Sequence, residues 1–136
     1  GCDVTLVDIE PLAVECALNN ARLNRVRVRA LCSNLFEGVP GEKFDSILFN
    51  IPLLDKTVDR PIEVMACDPG GQLLKRFMAE APQYLAPNGS VCVSVSNLGH
   101  RESTLAALAH YRYRILYSEY YGNEDIWNCL LLAEPL

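Results

Sequence analysis

The run Phe44-Asp45-Ser46-Ile47-Leu48-Phe49 is a short apolar strand that ends by delivering Asn50, Ile51, Pro52 and Leu53. An earlier run, Val4-Thr5-Leu6-Val7, ends at Asp8 in the same manner, and a helical stretch from Pro11 to about Asn24 follows it. Strand followed by helix is the rhythm of a parallel α/β sheet. In such a sheet ligands bind at the carboxyl ends of the strands, where loops and helix amino termini converge. An Asn amide oxygen there can accept from an amino group on a substrate, and the next backbone carbonyl can accept a second hydrogen bond. That pairing suits transfer to nitrogen.

The chain has 136 residues, half of them apolar and 21% charged, enough for one globular core and too few for two. A single domain over residues 1–136 is expected. No run approaches the roughly 20 apolar residues of a membrane span, and no basic start precedes an apolar stretch. The chain reads as soluble, intracellular and cytoplasmic. Its net charge of −5 lacks the basic footprint of a self-sufficient nucleic-acid binder. This tilts the acceptor toward a protein or small molecule, without excluding RNA.

The six cysteines form no CxxC or zinc-ligand cluster, so buried, reduced thiols and no metal are expected. No Ser-His-Asp order or phosphate-binding loop is present. Neither His100 nor His110 has a carboxylate at a diagnostic spacing, and neither joins the catalytic candidates.

Along the chain, Leu12, Cys16, Ala17 and Leu23 are available for the inner face of the first helix. Val26 to Leu31 alternates and reads as a second strand at an edge. A turn over Gly38 to Glu42 leads into the strand Phe44 to Phe49, and Pro52 to Asp68 is a long loop. Asp68-Pro69 opens a helix with Leu73, Leu74, Phe77, Met78, Ala81 and Leu85 on one face. Pro87-Asn88-Gly89 turns the chain into a strand over Val91 to Val95, and a helix runs from Ser103 to about His110, capped near Arg101 to Ser103. Tyr113 to Tyr121, the turn Gly122-Asn123-Glu124-Asp125 and Ile126 to Ala133 form an antiparallel hairpin. Tyr117, Tyr120, Tyr121 and Trp127 read as hairpin packing.

These features together resemble the class I S-adenosylmethionine-dependent methyltransferases. The similar subgroup is the small-domain one that includes release-factor glutamine methyltransferases and ribosomal RNA guanine-N2 methyltransferases. The resemblance rests on Val7-Asp8-Ile9-Glu10-Pro11-Leu12-Ala13, Asn19-Asn20 with Asn24, Ser33-Asn34-Leu35-Phe36-Glu37-Gly38, Asn50-Ile51-Pro52-Leu53, and Asp68 to Ser96. It implies a Rossmann-like α/β sheet of seven strands, with helices on both faces and a terminal antiparallel hairpin. The family's first strand and glycine-rich loop have no counterpart here, because the first strand of this chain matches the family's second. That strand lies between those ending at Asp8 and Asn50, so its absence is expected to leave two sheet edges unpaired.

The resemblance also implies S-adenosylmethionine as cofactor and an N-methyltransferase acting on a protein glutamine or a nucleic-acid base. Asp8 would hold the ribose hydroxyls through charge-assisted hydrogen bonds, and Ile9 would face the adenine. Helix capping is the structural alternative for Asp8, but Pro11 at the first helical position assigns the cap to Glu10. Asn34, with Leu35, stands where the subgroup has an Asp that accepts from the adenine amino group. Asn50 and the carbonyl of Ile51 would accept from the substrate nitrogen, with Pro52 completing the catalytic turn and Leu53 touching the substrate. The gain would come from orientation, and no strong base is needed.

The subgroup pattern is Asn-Pro-Pro followed by an aromatic residue. Ile51 replaces the first proline and frees its dihedral angle, and Leu53 removes a stacking face. These departures also suit a non-catalytic module that keeps the fold for binding. A nucleotide-dependent oxidoreductase is a third reading, since Asp8 would suit a dinucleotide's ribose; the hairpin and Asn50-x-Pro52 argue against it.

Overall fold

Thr5–Asp8 forms β1, and the N–H of Glu10, held by Asp8, turns the chain into α1 (Pro11–Leu23). Glu10 is the cap, its side chain accepting from Leu12 N–H, and Pro11 occupies the first turn where a missing N–H costs nothing. The structure is a computed structural model that describes residues 1–122 and 125–136, arranged as two compact units, Gly1–Glu42 and Lys43–Leu136.

In the first unit β1 pairs in parallel with β2 (Arg29–Cys32), from Thr5 opposite Arg29 to Asp8 opposite Cys32. The expected strand from Val26 is thus shorter at its start. Arg25 adopts a left-handed conformation, Val26 N–H still bonds back to Ala21, and β1 offers only four residues to pair with. The inner face of α1 also differs from expectation. Leu12, Cys16 and Leu23 are exposed, and the half-buried or buried set is Ala13, Val14, Ala17, Leu18 and Ala21, with Val14, Ala17, Leu18 and Ala21 in the i, i+3, i+4, i+7 pattern. Of the six free thiols, Cys2, Cys16 and Cys32 are exposed and only Cys67 is fully buried, which corrects the expectation of uniformly buried cysteines.

The second unit is a four-stranded sheet in the order β3-β4-β6-β5, with β3 over Phe44–Phe49, β4 over Leu85–Ser96, β5 over Tyr111–Tyr121 and β6 over Ile126–Pro135. β3 and β4 are parallel, and β6 runs antiparallel to both β4 and β5. The terminal hairpin is therefore present, and Asn123 and Glu124 of its expected turn lie outside the described residues. Tyr120 pairs with Trp127, while Tyr117 and Tyr120 are exposed. The Pro87-Asn88-Gly89 turn lies inside β4 as an irregularity, with register jumping from Phe44 opposite Leu85 to Ser46 opposite Ser90. A Cβ at position 89 would stand 2.9 Å from the carbonyl oxygens of Ala86 and Phe44, so glycine alone fits.

The helix expected to open at Asp68-Pro69 begins later. Pro69–Gly71 is a single 3-10 turn in which Gly70 and Gly71 are left-handed, and α2 covers Gln72–Glu80. Asp68 nevertheless caps it, accepting from Leu73 N–H at 2.8 Å and Leu74 N–H at 3.0 Å across the glycine pair. Leu74, Phe77 and Met78 are buried, and Phe77 meets Phe49 of β3 edge-on at 4.9 Å. Pro82 ends the helix in a 3-10 turn over Ala81–Tyr84, so Leu85 belongs to β4. The last helix, α3 (Arg101–Leu108), is capped by His100, one residue before the expected cap. The phenol of Tyr111 at the start of β5 donates to Met78 O at 2.6 Å.

Candidate functional site

In the first unit, the register of β1 and β2 brings Asp8 and Ser33-Asn34 out side by side, at the carboxyl ends of two parallel strands. Ser33 N–H donates to Asp8 O at 2.8 Å, and Asp8 Oδ1 accepts from Glu10 N–H at 2.8 Å, which orients the carboxylate. Ile9 follows with its side chain exposed. The turn from Ser33 to Gly38 is organised by the buried Ser33 hydroxyl, which donates to Leu35 O and accepts from Gly38 N–H, both at 2.8 Å. Leu35 is held at a φ of 51°, a left-handed conformation disfavoured for a bulky side chain. Asp8, Ile9, Asn34 and Leu35 thus share one end of one unit. At the far end of the unit Arg29 grips Glu42 through two hydrogen bonds of 2.6 and 2.9 Å, which holds the Glu42 carboxyl below its ordinary range.

In the second unit, Asn50 is exposed immediately after β3, and its Oδ1 accepts from the Ser94 hydroxyl at 2.9 Å. Ile51 is buried, while Pro52 and Leu53 are half-buried. Ile51, Pro52 and Leu53 lie over a small recess of about 20 Å³, also lined by Gly71, Ser94 and His100. That space holds about one water.

His100 of this recess belongs to a polar network that residue spacing did not reveal. Ser103 Oγ donates to Gly70 O at 2.7 Å and lies 2.8 Å from His100 Nδ1, which also accepts from Ser103 N–H at 3.2 Å. His100 acts here as a helix cap. Gly71 faces the same point, where a Cβ would stand 2.7 Å from Ser103 Cβ.

The long segment after Leu53 is pinned at both ends. Leu54 bridges to Cys67, Asp55 N–H donates to Leu98 O at 2.9 Å, and Asp55 Oδ1 accepts from Gly70 N–H at 2.7 Å. Between them a 3-10 turn, Pro61–Met65, is clasped by Glu63, which takes hydrogen bonds from Arg60 and from Asp59 N–H. Arg60 first, and the Asp59 N–H after it, hold the Glu63 carboxyl down to about 2. Among the described residues no cluster of His, Cys, Asp or Glu could hold a metal, and no helix is long and apolar enough to cross a membrane.

The family model described as "methyltransferase small domain" matches residues 1–115. A Methanocaldococcus jannaschii relative, provisionally named a protein N5-glutamine methyltransferase, is 42% identical over 108 residues, 75% of this chain and 54% of that protein. A Francisella tularensis relative named ribosomal protein uL3 glutamine methyltransferase is 36% identical over 107 residues, 70% of this chain and 34% of its own length. The chain thus spans about half of the first relative and about a third of the second. In fold it is similar to a T. thermophilus 16S rRNA N2 methyltransferase solved with AdoMet and guanosine, at a TM-score of 0.70 and 18% identity. That similarity covers 100% of this chain and 32% of the other.

Proposed function

The chain belongs to the methyltransferase small domain family, and we propose that the full protein transfers a methyl group from S-adenosylmethionine to the side-chain nitrogen of a protein glutamine. The observation that carries this reading is Asn50, presented at the carboxyl end of β3 with its amide oxygen held in place. The names of the relatives favour glutamine over a nucleic-acid base, and the net charge of −5 agrees. We place the reaction in the cytoplasm.

The residues of the first unit fit the cofactor by their chemistry. Asp8 offers a carboxylate to the vicinal ribose hydroxyls, Ile9 an exposed apolar face to the adenine, and the Asn34-Leu35 turn an acceptor for its amino group. The cofactor, when bound, supplies an electrophilic methyl group on a sulfonium. Asn50 Oδ1 and the carbonyl of Ile51 would accept the two N–H bonds of the glutamine amide and so fix the direction of its nitrogen lone pair; transfer would form the N–C bond as the S–C bond breaks, with the thioether as leaving group and one amide proton passing to water. Pro52 fixes the turn, and Leu53 gives the substrate an aliphatic rather than an aromatic neighbour. An upstream segment belongs to this reading, because β1 and β3 each end a sheet with exposed apolar residues, Leu6 and Val7 in one and Leu48 in the other.

Calorimetric titration of the full-length protein with S-adenosylmethionine and with a nicotinamide dinucleotide tests the reading. Methyl-donor binding that disappears in Asp8→Ala is expected, and dinucleotide binding alone overturns it. With methyl-labelled donor and ribosomal protein uL3 or a mixture of glutamine-containing peptides as acceptor, Asn50→Ala should lower turnover at nearly unchanged cofactor affinity. Failure of the wild-type protein to label any of these acceptors would sink the proposal.

A further inference from the structure

We infer that Ser94 is a positioning residue for methyl transfer, acting through the Asn50 carboxamide; this rests on the reading of Asn50 just given. The contact follows from strand register. β3 and β4 run in parallel with Leu48 opposite Cys92 and Phe49 opposite Val93, so Asn50 and Ser94 are the next pair along. Parallel strands put paired side chains on the same face of the sheet. Two residues separated by 44 positions therefore meet at 2.9 Å, with the Ser94 hydroxyl donating to Asn50 Oδ1.

A carboxamide rotates over a broad, nearly two-fold torsional surface, so an exposed Asn at a strand end has little to choose its oxygen over its NH₂ group. That choice decides the chemistry. An amide oxygen facing the substrate accepts its N–H, whereas Nδ2 would set donor against donor. A hydroxyl pairs with either end of a carboxamide, so the Ser94 contact acts by fixing the torsion; in this structure it donates to Oδ1 and leaves that oxygen's second lone pair for the substrate. Ser94 itself is fixed by its ladder pairing with Leu130 of β6 and by the buried Val93 and Val95 that flank it in sequence. The neighbouring hydroxyls do other work: Ser96 Oγ donates to Trp127 O, and Ser103 Oγ to Gly70 O. Among the described residues, the Ser94 hydroxyl is the one shown reaching the Asn50 side chain.

The test is steady-state methyl transfer by the full-length protein from S-adenosylmethionine to ribosomal protein uL3 or the glutamine-peptide mixture, in a double-mutant cycle. Ser94→Ala should lower kcat about 3- to 10-fold, the scale of one lost neutral hydrogen bond, with KM for the cofactor unchanged. Ser94→Thr, which keeps the hydroxyl and suits a strand, should restore most of the rate. In an Asn50→Ala background, Ser94→Ala should cost nothing further. An unaffected kcat in Ser94→Ala, or an equal loss with and without Asn50, overturns the positioning role while leaving the methyl-transfer reading intact. An unchanged rate in Asn50→Ala overturns both.

Discussion

β1 and β4 are both apolar strands with a parallel partner, yet they finish in opposite environments. Leu6 and Val7 of β1 are 38% and 41% exposed, whereas Val91 and Val93 of β4 are 0% exposed. The difference lies in neighbours rather than in hydropathy. β4 is paired on both sides, by β3 and β6, in a sheet on which α2 packs through Phe77 and Phe49. β1 has β2 on one side and, among the described residues, no strand on the other. An apolar side chain gains from burial only when something covers it, at about 25 cal/mol per Å² removed from water. The contrast shows which half of the chain carries its own core.

The strongest way to break that contrast is to empty the better half. Phe77→Ala should lower the stability of the second unit by about 3–5 kcal/mol, read from denaturant unfolding followed by the fluorescence of Trp127. A loss below about 1 kcal/mol would mean that packing on β3 contributes little. Asp68→Ala removes a buried carboxylate that satisfies two N–H groups of α2 and should cost about 1–2 kcal/mol in the same assay.

Tyr111→Phe deletes the hydrogen bond to Met78 O and should cost about 0.5–1.5 kcal/mol near neutral pH. Burial pushes the Tyr111 phenol up to about 12 from an ordinary 10. The folded state therefore keeps it protonated where the unfolded state begins to ionise. Its contribution is complete below pH 10 and is lost as pH rises from 10 toward 12, so the wild-type and Tyr111→Phe curves should converge across that window. Parallel curves would contradict the burial.

The smallest effect is expected in the first unit, where Leu6→Ala should cost less than about 1 kcal/mol in this chain. In the full-length protein the same substitution should cost about 2–4 kcal/mol if an upstream segment covers β1. Equal costs in the two settings would remove the argument for such a segment.

How far the sequence could be read follows the same division between local and remote causes. Asp8 and Asn50 at strand ends, and Glu10 before Pro11 as a helix cap, were legible because an apolar run, a polar end and a proline are adjacent in the chain. The start of α2 was not, because Gly70 and Gly71 take left-handed angles and Asp68 reaches over them to its cap site. The length of β2 was set by its partner, which offers four residues. Ser94 carried no signal at all: a serine in a strand acquires meaning only when register sets it beside a residue 44 positions earlier. His100 was hidden for another reason, since histidine is an uncommon cap.

The close approach at Gly71 has a hereditary consequence. With 2.7 Å between a would-be methyl group there and the Ser103 β-carbon, the codon for position 71 cannot drift freely. A side chain at position 71 would demand retreat of Ser103 and would also be strained by the left-handed φ of 61°, so descendants of this chain should keep glycine there whatever stands at position 103.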